Sequence, residues 1–597
     1  MHTPLVQTWD LDVLFPGGSE SDAFKSYLSD IEKQGNTLQQ LILRLKPPKS
    51  SADTTSLQEI VELAQNIALK LRQAASFVHC LSAQDMHDKK AVQLGGKVKT
   101  LSAQYANALT QLDQVLLQID EEVWQSILSR EPFAALAFPL NERRLRAKEK
   151  LPAELEALAN DLAVDGYHGW SDLYDTVVSK MTIQVEMDGE QKELSVGQAF
   201  NKLSDPNRQV RQHVFQKWQE AWAESADFCA DALNHLAGFR LNLYKHRGWD
   251  SVHKEPLDIN RMSAETLQVM WQVIEQNKGI FVQYLERKAK LLGLKKLSWY
   301  DVEAPLEQTQ RTISYDDAAQ FIVEQFNRFS PKMADFAVHA FENRWIEAED
   351  RPGKRPGGFC TSFPDSKQTR IFMTYAGTAG NVATLAHELG HAFHQHVMND
   401  LPPLTQRYAM NVAETASTFA ELIVADAALK HAVDHREKLA LLEDKVQRAV
   451  AFFMNIHARF LFETRFYEER KQGIVSVERL NEIMVEAQKE AYCDALGEYE
   501  PHFWASKLHF YITTVPFYNF PYTFGYLFSA GIYARALEEG RGFEENYIAL
   551  LRDTGRMQVE DLAQKHLGVD LTKPDFWQSA INLAVQDAQA FLDLTST

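Results

Sequence analysis

Apolar residues recur at steps of three and four along most of this chain. From Arg436 to Glu469 they fall at Leu439, Leu442, Val446, Val450, Phe453, Ile456 and Phe460. That spacing draws one stripe down a long amphipathic helix. The same period runs through Leu57–Cys80, Val98–Ile119, Gln209–Leu243 and Ala264–Leu292, and it predicts a helix for each. Asp205-Pro206 reads as an N-cap followed by proline at the first helical position. Alternation is rarer. Met181–Met187 alternates apolar and polar residues, Asp188-Gly189 supplies a two-residue turn, and Gln191–Val196 returns, which predicts a hairpin. Arg370–Tyr375 is a second strand candidate. It follows the Gly- and Pro-rich stretch Pro352–Gly358 and precedes Gly377 and Gly380. The pattern predicts a mainly α protein with a small sheet close to the segment that follows.

Composition bounds the picture. The chain has 597 residues, 45% hydrophobic and 24% charged, enough for a large core and more than one lobe. Lys plus Arg number 62 against 81 Asp plus Glu, a net charge of −19. Such an acidic surface argues against nucleic acid or an anionic membrane as partner. Cys80, Cys229, Cys360 and Cys493 are far apart and form no C-x-x-C pair, as expected of idle thiols in a reducing cytoplasm. The opening residues lack a basic stretch followed by an apolar core, so no signal peptide is expected. Val515–Ala534 is uncharged and long, but Pro516, Asn519, Pro521 and its tyrosines suit a buried loop and helix start better than a bilayer span.

Residues 387–391 read His-Glu-Leu-Gly-His, within a segment, Asn381–Val397, of helical character with Asn381 as its expected N-cap. Histidines four apart project from one helix face, close enough to share one ion. Zinc suits neutral imidazole nitrogens, and a catalytic zinc keeps three protein ligands and one open position. Glu388, beside the first histidine, is placed to reach the attacking water as general base rather than the metal. The bland alternative is a surface helix that carries two histidines by chance.

The third ligand must come from elsewhere. His394 lies three residues after His391, but Val397 stands where a further histidine would continue the three-histidine pattern. Met398–Gln406, with Pro402-Pro403, reads as a loop. Met410–Lys430 is helical again and carries Glu414 and Glu421, seven apart and therefore on one face. Either carboxylate could complete a His-His-Glu set from a second helix crossing the first. The alternative for both is a half-solvated helix face.

These residues resemble a known family. Asn381–His391 after a strand, then Glu414-Thr415-Ala416-Ser417, is similar to the oligoendopeptidase F branch of the thimet oligopeptidase family. So are the opening Thr8-Trp9-Asp10-Leu11-Asp12-Val13-Leu14-Phe15 and the late Pro516-Phe517-Tyr518-Asn519-Phe520-Pro521-Tyr522. The resemblance implies a two-lobed, clam-like helical body with a deep channel and a single zinc ion. It also implies endopeptidase action on short oligopeptides, with His387, His391 and Glu414 as metal ligands. Glu421 then becomes a candidate for orienting a histidine. Residues 1–200 would form an N-terminal helical region and 201–597 the catalytic region. A zinc carboxypeptidase and a non-catalytic helical peptide-binding protein are the competing expectations.

Attack on a peptide carbonyl creates an oxyanion that needs hydrogen-bond donors. The resemblance implies a histidine and tyrosines after a glycine-containing loop for this role. His509 and Tyr522 are the first candidates, with Tyr518 and Tyr526 behind them. A loop up to about Phe520 and a helix from Pro521 onward are expected here. The alternative is an aromatic core patch. Arg370–Tyr375 either takes the peptide as an added strand or is a plain core strand.

Overall fold

The structure, a computed structural model, describes residues 1, 4–307 and 311–596. The apolar stripes become helices: Thr55–Gln84, Lys89–Leu117 and Arg208–Arg247 are each continuous. The stripe from Arg436 becomes His435–Val450 and Ile456–Arg470, joined without a break in coiling by a π-turn at Ala451–Asn455. Two details differ from expectation. Ala264–Leu292 is two helices, Ala264–Gln276 and Gly279–Leu291. The break brings Lys278 Nζ inward, 2.7 Å from His457 Nδ1 and 2.6 Å from the Ala491 carbonyl oxygen to which it donates. The helix from Arg208 is capped by Asn207, whose side chain accepts from Gln209 N. Asp205 is set back and instead accepts from Asn207 N at 2.9 Å.

Five strands complete the fold: β1 (Thr182–Met187), β2 (Glu190–Ser195), β3 (Ile346–Glu347), β4 (Phe359–Phe363) and β5 (Gln368–Phe372). β1 and β2 form the expected antiparallel hairpin. Its turn places Asp188 at φ 58° and Gly189 at φ 79°, the paired positive values a type I′ turn needs. The other sheet has the order β3-β5-β4, with β3 parallel and β4 antiparallel to β5. No helix among the described residues is long and apolar enough to cross a membrane.

The chain divides into two compact units, each drawn from three stretches. One holds Met1–Lys150, Arg311–Ala427 and Arg535–Gly568; the other holds Leu151–Gln310, Ala428–Ala534 and Val569–Thr597. Packing therefore does not follow a linear division at residue 200. The first unit shows why. Its core runs from Phe15, Phe24 and Phe77 through Trp124 to Phe363 and Phe372 of the sheet, so early helices and the late sheet bury one another's apolar faces. Trp9 donates from Nε1 to Gln84 Oε1 at 2.7 Å and from its backbone to Glu347 Oε2 at 3.2 Å. Arg370, fully buried, donates to the Asp10 carbonyl. The opening Thr8–Phe15 segment is thus strapped to the sheet, and the sheet packs on the helix that carries residues 387–391.

The second unit is built on the helix Arg208–Arg247, against which the β1–β2 hairpin rests. Ile456–Arg470 pairs with Val477–Ala491, and His435–Val450 with Pro574–Leu594. The aromatic-rich segment begins the helix Phe520–Glu539, one residue earlier than expected, with Pro521 in the first turn where its missing N–H costs nothing.

Candidate metal centre

The helix Ala379–Met398 starts one turn earlier than expected. Thr378, in extended backbone, is the N-cap: its Oγ1 accepts from Asn381 N at 3.1 Å. Asn381 is the return partner of this capping box, accepting from Thr378 N at 3.3 Å. One and a half turns further on, His387 and His391 leave the same face, ring centroids 4.9 Å apart and planes at 84°.

Glu414 stands where the short helix Met410–Ala413 gives way to Thr415–Lys430. Its Oε2 lies 3.2 Å from His387 Nε2 and 3.4 Å from His391 Nε2. Four tetrahedral ligands at ~2.1 Å from zinc stand ~3.4 Å from one another. Both histidine–carboxylate edges match that spacing, so the donor set fits the ion. Burial pushes the Glu414 carboxyl up, but hydrogen bonds with His387 and His391 outweigh it and hold the group well below the usual range. It is therefore the anion a ligand must be.

Two neighbours fix these donors. Glu421 Oε2 lies 3.0 Å from His387 Nδ1, so the two glutamates address opposite nitrogens of one ring. A proton held on Nδ1 leaves the Nε2 lone pair for a metal. Ser417 Oγ donates to Glu414 Oε2 at 2.7 Å and anchors that oxygen one turn along its own helix. The helices can approach this closely because residue 390 is glycine. A Cβ there would sit 2.4 Å from the Ala416 carbonyl oxygen and 2.6 Å from Ser417 Cα.

Glu388 is 7% exposed, and its Oε2 is buried without a hydrogen-bond partner. Burial pushes its carboxyl up, while the His391 and His387 imidazoles pull it down. Backbone crowds it from β4: a Cβ on Gly358 would lie 3.7 Å from Glu388 Oε1 and 3.2 Å from the Phe372 carbonyl oxygen. His394 belongs to another face. It stacks on Tyr408 at 4.2 Å, its Nε2 sits 2.8 Å from Thr554 Oγ1, and burial lowers its pKa to about 3. It seats the helix on the Arg535–Gly568 stretch and is no ligand. β5 lies between β3 and β4 with a paired neighbour on each side. Within Arg370–Tyr375 the strand ends at Phe372, and Ile371 and Phe372 are paired on both sides as in a core strand, with no edge there on which to add a peptide.

His509, Tyr518, Tyr522 and Tyr526 belong to the second unit. His509 packs edge-on against Tyr518 at 5.1 Å, and Tyr518 lies 5.9 Å from Tyr522. All three rings are half-buried. His509 Nδ1 is buried without a hydrogen-bond partner, and burial, then Lys507 and Arg459, lower its pKa to about 4. Tyr526 is more deeply set, stacked on Phe452 at 4.6 Å. Gly358, Gly390 and the role of Ser417 escape the sequence reading. Gly390 inside the histidine pair was the available signal, since glycine mid-helix lowers helix propensity and marks a close approach.

Residues 202–583 match Peptidase family M3, and residues 116–183 match Oligopeptidase F. The chain is 24% identical over 592 residues to Oligopeptidase PepF of Bacillus subtilis, covering 96% of this chain and 85% of that one. Among solved structures, a candidate peptidase from Chlamydophila abortus superposes with a TM-score of 0.83 at 20% identity, covering 98% of both chains. The oligoendopeptidase-F of Enterococcus faecium gives 0.68 at 18% identity, covering 96% of this chain and 99% of that one. These structural likenesses show a shared, mainly α fold.

Proposed function

Since the chain belongs to peptidase family M3, we propose that it is a zinc-dependent endopeptidase that hydrolyses internal bonds of short oligopeptides. The observation that supports this most is the convergence of His387, His391 and Glu414 beside a buried, unpartnered Glu388 oxygen. Zinc held by those three residues would supply a Lewis acid that polarises the scissile carbonyl and acidifies water. Glu388 takes the proton of the attacking water on Oε2 and returns it to the leaving amine. Glu421 keeps the His387 ring in one orientation and one tautomer. In this reading His509 and Tyr522, with Tyr518 and Tyr526 behind them, donate to the developing oxyanion; resemblance to the family supports these roles.

The test uses purified protein and an internally quenched peptide blocked at both ends. Chelation should abolish cleavage and added zinc should restore it. Turnover by verified metal-free protein would overturn the metal assignment. Failure on blocked peptides with cleavage of free ones would point to an exopeptidase, and absence of cleavage with zinc bound would leave a peptide-binding protein.

A further inference from the structure

Gln65, Arg72, Ser76, His79 and Ala83 fall at steps of seven, four, three and four, so one face of the helix Thr55–Gln84 carries all five. Four of them have visible tasks. Gln65 Oε1 accepts from Leu404 N at 3.4 Å. Ser76 Oγ lies 2.7 Å from Thr361 Oγ1 and donates to the Ser362 carbonyl oxygen at 2.7 Å. The His79 ring stands 4.3 Å from that of Phe359, and the Ala83 carbonyl accepts from Arg355 N at 2.9 Å. This face therefore runs from the Leu404 stretch along β4, the edge strand of its sheet. Arg72 sits between the Leu404 and Thr361 contacts and makes none of its own. Among the described residues its side chain forms neither a hydrogen bond nor an ion pair.

The surroundings of Arg72 adjoin the metal centre. The charged or ionisable groups that act most on it are Tyr408, Arg407 and Cys360. Tyr408 in turn feels the charge of Glu414, the proposed ligand, and Cys360 that of Glu388, the proposed base. Cys360 is two residues along from Gly358, whose Cβ would stand 3.7 Å from Glu388 Oε1. All of these residues belong to the first unit.

No neighbour supplies Arg72 with a counter-charge. Burial pushes the Cys360 thiol well up and the Tyr408 phenol up to about 12, so both are neutral near pH 7. Arg407 is a like charge. Glu414 is engaged by His387, His391 and Ser417, and Glu388 is reserved for the attacking water in the reading above. Arg72 is half-buried, where proteins normally pair a cation, and burial lowers its pKa. The Tyr408 hydroxyl also lacks a hydrogen-bond partner among the described residues, while its ring is held by stacking on His394 at 4.2 Å. A planar fork of N–H donors beside one O–H matches the two oxygens of a carboxylate.

We propose that Arg72, with the Tyr408 hydroxyl, is a specificity-determining residue that binds a carboxylate of the oligopeptide beside the metal centre. The proposal rests on the oligopeptidase reading. The chain carries a net charge of −19, which repels acidic peptides, so a local cation is what admits one. The carboxylate is either the peptide's C-terminal group or an acidic side chain, and both present the same planar acceptor to a guanidinium.

The experiment compares one cleavable peptide as free acid, as C-terminal amide, and with its single Glu replaced by Gln in each form. With zinc-loaded wild-type protein, losing the recognised carboxylate should raise KM by about 10-fold or more with kcat little changed. The arm that responds identifies the source. In Arg72→Gln that KM ratio should fall toward 1, and Arg72→Lys should keep part of it, with zinc content and Tm checked in each variant. Tyr408→Phe removes one donor and should lower the ratio by about 3-fold; it carries the test, together with Arg72→Lys, if Arg72→Gln does not fold. Binding of the same peptides, dye-labelled, is followed by anisotropy on zinc-loaded Glu388→Gln protein. A wild-type ratio near 1 in both arms, or a full ratio retained in a folded Arg72→Gln or in both other variants, overturns the proposal. Carboxylate-dependent binding lost in Arg72→Gln, without cleavage of any peptide by zinc-loaded wild type, keeps the subsite and overturns the hydrolase reading instead.

Discussion

Gly390→Ala adds one methyl group to the helix that carries both histidines. On an exposed helix that change would be favourable by about 1 kcal/mol. Here the new Cβ would lie 2.4 Å from the Ala416 carbonyl oxygen and 2.9 Å from the Ala416 carbonyl carbon. Ordinary contacts to carbon begin near 3.5 Å, so the start of the Thr415–Lys430 helix must retreat by roughly 1 Å. The obstacle is backbone, which has no rotamer to yield. Overpacking of this kind costs about 1–3 kcal/mol. The larger effect falls on the metal. Glu414 and Ser417 flank the displaced peptide, and ligand distances tolerate only about 0.2 Å. Zinc affinity should drop by about 100-fold or more, beyond the ~10–100-fold cost of losing an outer partner. The assay is competition against a chromophoric chelator, with Tm measured on apo and zinc-loaded protein. Gly380→Ala on the same helix is the control, because its Cβ would meet nothing closer than Thr378 Oγ1 at 3.7 Å. Zinc affinity within about twofold of wild type in Gly390→Ala, well inside that outer-partner range, would show that the helices do not need this contact, and the argument would fail.

Three further substitutions probe the centre. Glu388→Gln preserves shape but accepts no proton, so turnover should fall by about 10²–10⁴-fold with zinc retained; loss of the zinc would make Glu388 a ligand. Glu421→Gln removes the charge facing His387 Nδ1, and zinc affinity should weaken by about 10–100-fold while the fold, read by circular dichroism, persists; unchanged affinity would reduce Glu421 to a bystander. Tyr522→Phe should lower kcat by roughly 10²–10³-fold with little change in KM; an unchanged kcat would return that hydroxyl to the aromatic cluster.

Periodicity made the helices legible, because a stripe at steps of three and four needs nothing beyond local sequence. The breaks were not legible. The interruption at Asn277-Lys278 depends on His457 and the Ala491 carbonyl receiving a buried ammonium from far along the chain. The caps went astray for a local reason. Asn381 and Asp205 are good capping residues, but each stands within three residues of a second one, Thr378 and Asn207, that does the capping. Within the metal centre, His387 and His391 could be read because one helix sets their spacing. Spacing alone could not separate Glu414 from Glu421, since two turns bring both to one face. The structure gives each a place, one at Nε2 and the other at Nδ1 of the same imidazole. Gly390 and Ser417 acquire meaning only where two helices cross, and no single-helix pattern encodes that crossing.

The three-stretch composition of the first unit bears on biosynthesis. All the proposed ligands and the base have been translated by residue 414. Yet the back of the histidine helix rests on residues 551–554, where Leu551 and Thr554 receive the His394 ring nitrogen. Nearby, Gly555 lets the chain pass so close to the Thr405 carbonyl that a Cβ would stand 2.1 Å from it. A nascent chain at residue 534 would therefore carry the proposed metal donors without the residues on which their helix rests. On the proposed assignment, a chain terminated before residue 551 would lack the contacts that seat the histidine helix.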